Sequence, residues 1–294
     1  MMPKLGGVIA PITTPFLNDG SIALDKLEDN VRIYAESGIH GYLALGSNGE
    51  NKSLTYEEKL EVVRCIEKNK SADQFVMVGS IFESTKETIC FAKQAQELGA
   101  DYISLLPPSY FKSQMKDAEL IGYFTDVANA VSIPCTLYNA PQYAGGLALG
   151  LGVITECAKH SNVVGIKDSS GGGIEKILAA VPEDFRVLSG SANTFVNALI
   201  NGAVGGVVSL ANSLPETVLD VYNAFLREDY PTLRALNKAM IRLNAGVAGN
   251  YGVAGVKYAM DRNGFYGGIP RLPLLPLTEE ACAKIDDALA RYVD

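Results

Sequence analysis

The sequence predicts an α/β fold, a (β/α)8 TIM barrel with a C-terminal helical extension. Three observations predict it. Eight short apolar runs follow one another up to residue 210. Amphipathic stretches separate them at intervals of about 30 residues, the length of one βα unit. The competing doubly wound sheet would favour a Gly-x-Gly-x-x-Gly turn after its first strand, and the first run has none.

The runs are GVIAPITTPF (7–16), GIHGYLALGS (38–47), FVMVGS (75–80), YISLLPP (102–108), PCTLYNA (134–140), VVGIKDS (163–169), FRVLSGS (185–191) and GGVVSL (205–210). Each is rich in β-branched and other apolar residues and closes on Gly, Pro, Asn or Ser. Between them, LTYEEKLEVVRCIEKNK and STKETICFAKQAQELGA repeat apolar residues at helical spacing behind polar start signals. After the eighth run the spacing stays helical through PETVLDVYNAFLRE, YPTLRALNKAMIRLNAG and TEEACAKIDDALARYVD. No Pro/Ser-rich linker intervenes. The expected division is a barrel over residues 1–212 and a helical extension over 213–294 packed on it.

Composition narrows the function. At 294 residues and 48% hydrophobic content the chain has material for a large core. It carries 25 basic against 33 acidic residues, net −8, with no basic cluster, which argues against a nucleic-acid partner. The five cysteines, Cys65, Cys90, Cys135, Cys157 and Cys282, form no CxxC pair, and the histidines are only His40 and His160. Reduced thiols without a zinc site are expected. No apolar signal core or bilayer-length run occurs, so a cytoplasmic protein without membrane attachment is the default expectation.

In such a barrel the chemistry gathers where strands end. The second run ends GSNGE (46–50), the fourth PPSYF (107–111), the fifth YNAP (138–141), the sixth KDSSGG (167–172) and the seventh SGSA (189–192). Lys167 follows Val163, Val164, Gly165 and Ile166 at a strand end. Burial there disfavours the ammonium form, and a neutral lysine in a pocket is a Schiff-base nucleophile. The alternative is an ion pair with a neighbour such as Asp168. Lys257, in GVAGVKYAM, reads as a helical lysine snorkelling at a surface or interface. Tyr138 ends the adjacent strand, where its phenol could relay protons or simply fill the rim. Glycines around Ser47 and Asn48 allow a turn whose N–H groups suit a carboxylate. No histidine or DxD pair ends any run, so ligands for metal-dependent aldol chemistry are lacking and no cofactor is expected.

GSNGE, YNAP, GIKDSSG and AVGGVVSLAN, in this order and spacing, resemble the dihydrodipicolinate synthase / N-acetylneuraminate lyase family from about residue 5 to the C-terminus. The resemblance implies a metal-independent, class I pyruvate-dependent aldolase, a 2-keto acid substrate and a homotetramer built as a dimer of dimers. It implies that Lys167 forms the Schiff base and Tyr138 relays protons. Ser47 would join the relay, and Asn48 would offer its N–H to the keto-acid carboxylate. Tyr110 resembles the tyrosine that reaches a neighbouring subunit's site. Val207 resembles the position whose carbonyl lies near the lysine, while Ser169, Gly190 and Tyr143 fall among the substrate-binding positions. In lysine-pathway synthases of the family, an arginine follows the YN.P motif. Here YNAPQYAGG puts Tyr143 in that place, and a phenol cannot form the bidentate pair of a guanidinium. With GVAGVKYAMDRNGFYGGIPRLPL, the pattern is most similar to the 4-hydroxy-2-oxoglutarate aldolase branch. The lysine-pathway synthase, aldolases for deoxy-keto sugar acids or N-acetylneuraminate, and a non-catalytic keto-acid sensor are the alternatives.

Overall fold

A computed structural model describes residues 4–293 of the chain. Eight parallel strands close into a barrel in the order β1 to β8. They are β1 (Gly7–Ala10), β2 (Gly41–Ala44), β3 (Phe75–Gly79), β4 (Tyr102–Leu105), β5 (Cys135–Asn139), β6 (Val163–Asp168), β7 (Arg186–Ser189) and β8 (Gly205–Val207). Closure comes from β1 pairing with β8, Gly7 opposite Gly205 and Ile9 opposite Val207. Every strand lies inside an apolar run read from the sequence.

The helices α1 (Leu24–Ser37), α2 (Tyr56–Asn69), α3 (Thr85–Glu97), α4 (Asp117–Ala130), α5 (Leu151–Cys157), α6 (Ile174–Ala180), α7 (Ala192–Ile200) and α8 (Pro215–Leu226) follow the strands in turn. Their starts have local causes. Thr55 and Glu58 close a reciprocal capping box on α2, and Ser84 accepts from the Glu87 N–H at the head of α3. α8 packs on β1 and on α1 and α7, so by packing the ring of helices extends to Leu226. α9 (Tyr230–Asn244), α10 (Asn250–Arg262) and α11 (Glu279–Val293) form a further layer against it. A π-helical segment, Ala245–Gly249, joins α9 to α10. Among the described residues, no helix is long and apolar enough to cross a membrane.

Side-chain alternation decides what the barrel holds. Val8, Ala10, Val76 and Val78 pack outward with the helices, whereas Ile9, Phe75 and Met77 fill the lumen with Leu5, Leu43, Tyr102, Leu188 and Val207. On β5, Cys135 and Leu137 face the helices, which turns Thr136 and Tyr138 inward. On β6 Ile166 faces the helices, and Lys167 therefore enters the lumen at its C-terminal end. The paired register sets Tyr138 directly opposite Lys167.

Candidate active site

Lys167 and Tyr138 form the floor of the site. The Lys167 amine lies 4.1 Å from the centre of the Tyr138 ring, and the two residues are only 3% and 2% exposed. Burial alone pulls the Lys167 ammonium down to about 7. The ion pair with Asp168 does not form: Asp168 is taken instead by the Asn139 amide at 2.7 Å and the Ser170 hydroxyl at 3.0 Å. At neutral pH a large fraction of the amine is therefore uncharged and nucleophilic.

The Tyr138 hydroxyl lies 3.5 Å from Ser47 Oγ. Burial raises its phenol above the ordinary range, and hydrogen bonds with Ser47 and Ser169 offset part of that rise. Ser47 and Asn48 sit in the turn after β2, which is held from several sides. Thr14 Oγ1 donates to Gly49 O at 2.8 Å, Asn48 Nδ2 to Ser209 Oγ at 2.9 Å, and Asn51 Nδ2 to Leu45 O at 2.9 Å. Leu45 and Glu50, at each end of the turn, take left-handed backbone with φ 57° and 50°. A left-handed non-glycine residue costs on the order of 1 kcal/mol and persists only where its surroundings enforce it.

Glu50 shows what enforces it. Its Oε1 meets Lys257 Nζ at 2.6 Å, with both side chains essentially sealed from solvent, and its Oε2 accepts the Arg271 N–H at 2.8 Å. Lys257 is thus no snorkelling surface or interface residue. Its amine also donates to Ile269 O at 2.9 Å and lies 4.4 Å above the Phe16 ring. The expectation failed because the partner carboxylate lies 207 residues upstream, beyond any helical spacing.

A cleft of about 60 Å³ opens over Lys167, lined by Ser47, Asn48, Tyr138, Tyr143, Ser169, Gly190 and Val207 together with Pro11, Gln142 and Ser209. One water needs ~10–15 Å³, so the space suits a molecule of a few heavy atoms. Pro11, Gln142 and Ser209 were not read from the sequence. Gln142 donates to Ser169 O at 3.2 Å and ties the loop after β5 to β6, a contact that no local motif signals. Tyr143 stands at the mouth, half-exposed. Tyr110 is not brought into this cleft. It is 80% exposed, stacked edge-on with Phe111, and its N–H donates to Glu83 at 2.9 Å.

Gly190 has a steric reason. A Cβ there would lie 1.8 Å from Ser169 Oγ and 2.8 Å from Asp168 O. Gly190→Ala is expected to destabilise the fold by about 1–3 kcal/mol through overpacking and to swing Ser169 away from Tyr138. Chemical denaturation and a turnover assay check it, and unchanged values of both would show that Ser169 has room to move.

The profile of the dihydrodipicolinate synthetase family matches residues 4–292. The chain belongs to the dihydrodipicolinate synthetase family. A 4-hydroxy-tetrahydrodipicolinate synthase of Neisseria gonorrhoeae is 32% identical over 97% of this chain and 98% of its own length. A probable mitochondrial 4-hydroxy-2-oxoglutarate aldolase of Emericella nidulans is 29% identical over 99% of this chain and 96% of its own. Among solved structures, a chloride-inhibited dihydrodipicolinate synthase of Acinetobacter baumannii complexed with pyruvate superposes with TM-score 0.92 at 28% identity, over 100% of this chain and 99% of that one. Family membership makes the chain an enzyme of the class I aldolase and lyase kind, working on carbon–carbon bonds, and gives its closed barrel the family's architecture.

Proposed function

We propose that the chain is a Schiff-base aldolase that cleaves a 4-hydroxy-2-keto acid to pyruvate and an aldehyde, with 4-hydroxy-2-oxoglutarate the best-matched substrate. The observation that carries this reading is the Lys167 amine, buried, with no carboxylate partner among the described residues and held at about 7 beside Tyr138. Lys167 adds to the C2 ketone and water leaves, giving an iminium. The C4 hydroxyl loses its proton, the C3–C4 bond breaks, and its electron pair moves through C3 and C2 to the iminium nitrogen. The resulting enamine takes a proton at C3 and is hydrolysed to pyruvate. Tyr138 and Ser47 move protons, with Tyr110 supplied by a neighbouring copy in a tetramer. N–H groups of Ser47 and Asn48 hold the carboxylate. Ser169, Gly190 and Val207 shape the opposite wall.

The lysine-pathway synthase is the second reading, favoured by the name of the Neisseria relative. Against it, Tyr143 stands where that enzyme class carries an arginine, and no arginine among the described residues lines the cleft. Borohydride reduction in the presence of pyruvate is expected to add an alkyl group at Lys167, located by peptide mass. Pyruvate release from a panel of 4-hydroxy-2-keto acids, set against condensation with aspartate semialdehyde, separates the two readings. An active preparation with an unmodified Lys167 rejects the covalent route.

A further inference from the structure

We propose that Glu83 is a positioning residue that fixes the backbone carrying Tyr110, so that the Tyr110 phenol is presented to the active site of a neighbouring copy. The proposal rests on the reading above, in which Tyr110 joins the proton relay of another subunit. Its ground is a single carboxylate oxygen. Glu83 Oε2 accepts the N–H groups of both Ser109 and Tyr110, at 2.8 and 2.9 Å.

The local sequence gives this oxygen its weight. Pro107 and Pro108 follow β4 closely and have no N–H to offer. Ser109 and Tyr110 therefore supply the first donors after Leu106, and Glu83 takes both. A hydrogen bond to an ionised acceptor is roughly twice as strong as a neutral one. The other oxygen, Oε1, lies 3.6 Å from Lys52 Nζ, which itself donates to Ile81 O at 3.3 Å. Lys52 sits just beyond the turn bearing Ser47, so Glu83 ties the loop after β4 to the segment after β2. On the far side of Tyr110, Lys112 Nζ donates to Gly145 O at 2.9 Å and ties the same loop to the one after β5. Tyr110 and Phe111 stand between these two anchors.

The rings themselves are held by little. Both are exposed and meet edge-on, with centres 5.0 Å apart. Among the described residues, no hydrogen bond holds the Tyr110 hydroxyl. The backbone therefore sets the direction of the phenol, and Glu83 sets the backbone. Exposed aromatic rings on an anchored loop suit an interface. The receiving side exists on the same chain. A mainly apolar cavity of about 200 Å³, bounded by Ile81, Leu106 and Leu274, has Ser47 and Tyr138 in its wall. A phenol that enters it from another copy comes up to those two hydroxyl groups.

The test uses mixed complexes of two full-length chains, co-expressed with different affinity tags and purified on both. One chain, Lys167→Ala, cannot form the Schiff base but keeps Tyr110. The other, Tyr110→Phe, keeps its lysine and needs a phenol from its partner. Per intact Lys167, the mixture is expected to cleave 4-hydroxy-2-oxoglutarate, or the panel acid cleaved fastest, faster than Tyr110→Phe alone. Glu83→Ala added to the Lys167→Ala chain is expected to lower kcat about tenfold with KM within about threefold, the effect of a misplaced relay group. Added to the Tyr110→Phe chain instead, it is expected to cost less than about twofold. Glu83→Gln on the Lys167→Ala chain keeps an oxygen that accepts both N–H groups, and it is expected to hold the rate within about threefold of the unsubstituted mixture. Equal falls from the two placements would mean that Glu83 supports its own chain's site and would overturn the proposal. Failure of Glu83→Gln to recover the rate overturns it as well. A faster mixture that is indifferent to Glu83→Ala sinks this proposal alone, whereas a mixture no faster than Tyr110→Phe alone sinks the reading that Tyr110 acts across copies.

Discussion

Lys167→Met is expected to abolish both the pyruvate adduct and aldol cleavage while making the fold more stable at pH 7. The loss of activity follows from removing the nucleophile proposed above. The gain follows from linkage. The ammonium titrates at about 7 in the folded chain against 10.5 for the free group, because the folded site is dry. Between those values the unfolded chain binds more protons than the folded one, so wild-type stability rises with pH, by at most ~1.4 kcal/mol per pH unit for one site. Below about 7 the folded chain bears the full cost of a buried charge. Methionine, similar in volume and never charged, removes it. The variant should gain about 2–4 kcal/mol at neutral and lower pH, and the gain should shrink toward zero as pH approaches 10.5. Paired thermal-unfolding curves at pH 6.5, 8.5 and 10 read the difference, with all other titrations common to both chains. A pH-independent gap would mean that the amine is not held neutral by burial.

The second large effect is on the Glu50–Lys257 pair. Removing one partner leaves the other charge in a dry interior, which costs about 3–5 kcal/mol. Glu50→Gln and Lys257→Met should each lower the melting temperature by roughly 10 °C. Glu50→Leu combined with Lys257→Met should recover most of the loss, since no orphaned charge remains. Recovered stability need not restore turnover. Glu50 also accepts the Arg271 N–H and sits at a left-handed position three residues after Ser47, so the double variant should stay deficient in kcat. Single variants within about 1 kcal/mol of the parent would show that solvent reaches the pair.

Several parts of this arrangement were open to reading from the chain. Strand β6 was legible because four uncharged, mostly apolar residues precede Lys167 and a glycine-rich turn follows it. The same pattern of apolar run and polar stop marked the other seven strands. Tyr138 was legible because β5 and β6 are neighbours in any barrel, and strand ends align. The family resemblance singled out Tyr143, but its sharing of a wall with Ser47 and Tyr138 required the coordinates. Lys257 was misread because its run GVAGVKYAM looks amphipathic, and nothing local reveals a carboxylate 207 positions away. The eighth helix of the ring read as part of the extension because spacing alone cannot say which surface a helix covers. Gln142 and Ser209 reach the cleft through contacts between loops, for which sequence patterns carry no period.

The clamp on Glu50 has a consequence for synthesis. The turn bearing Ser47 is made early, yet the groups that fix its shape, Lys257 and the Arg271 backbone, are among the last on the chain. Arg271 further grips Glu58 with two nitrogens, each at 2.7 Å. A nascent polypeptide can assemble strands on the ribosome as they emerge, but the turn bearing Ser47 stays unclamped until Lys257 and Arg271 have been made. Fragments ending before that point would carry Lys167 and Tyr138 beside a turn that nothing clamps at Glu50.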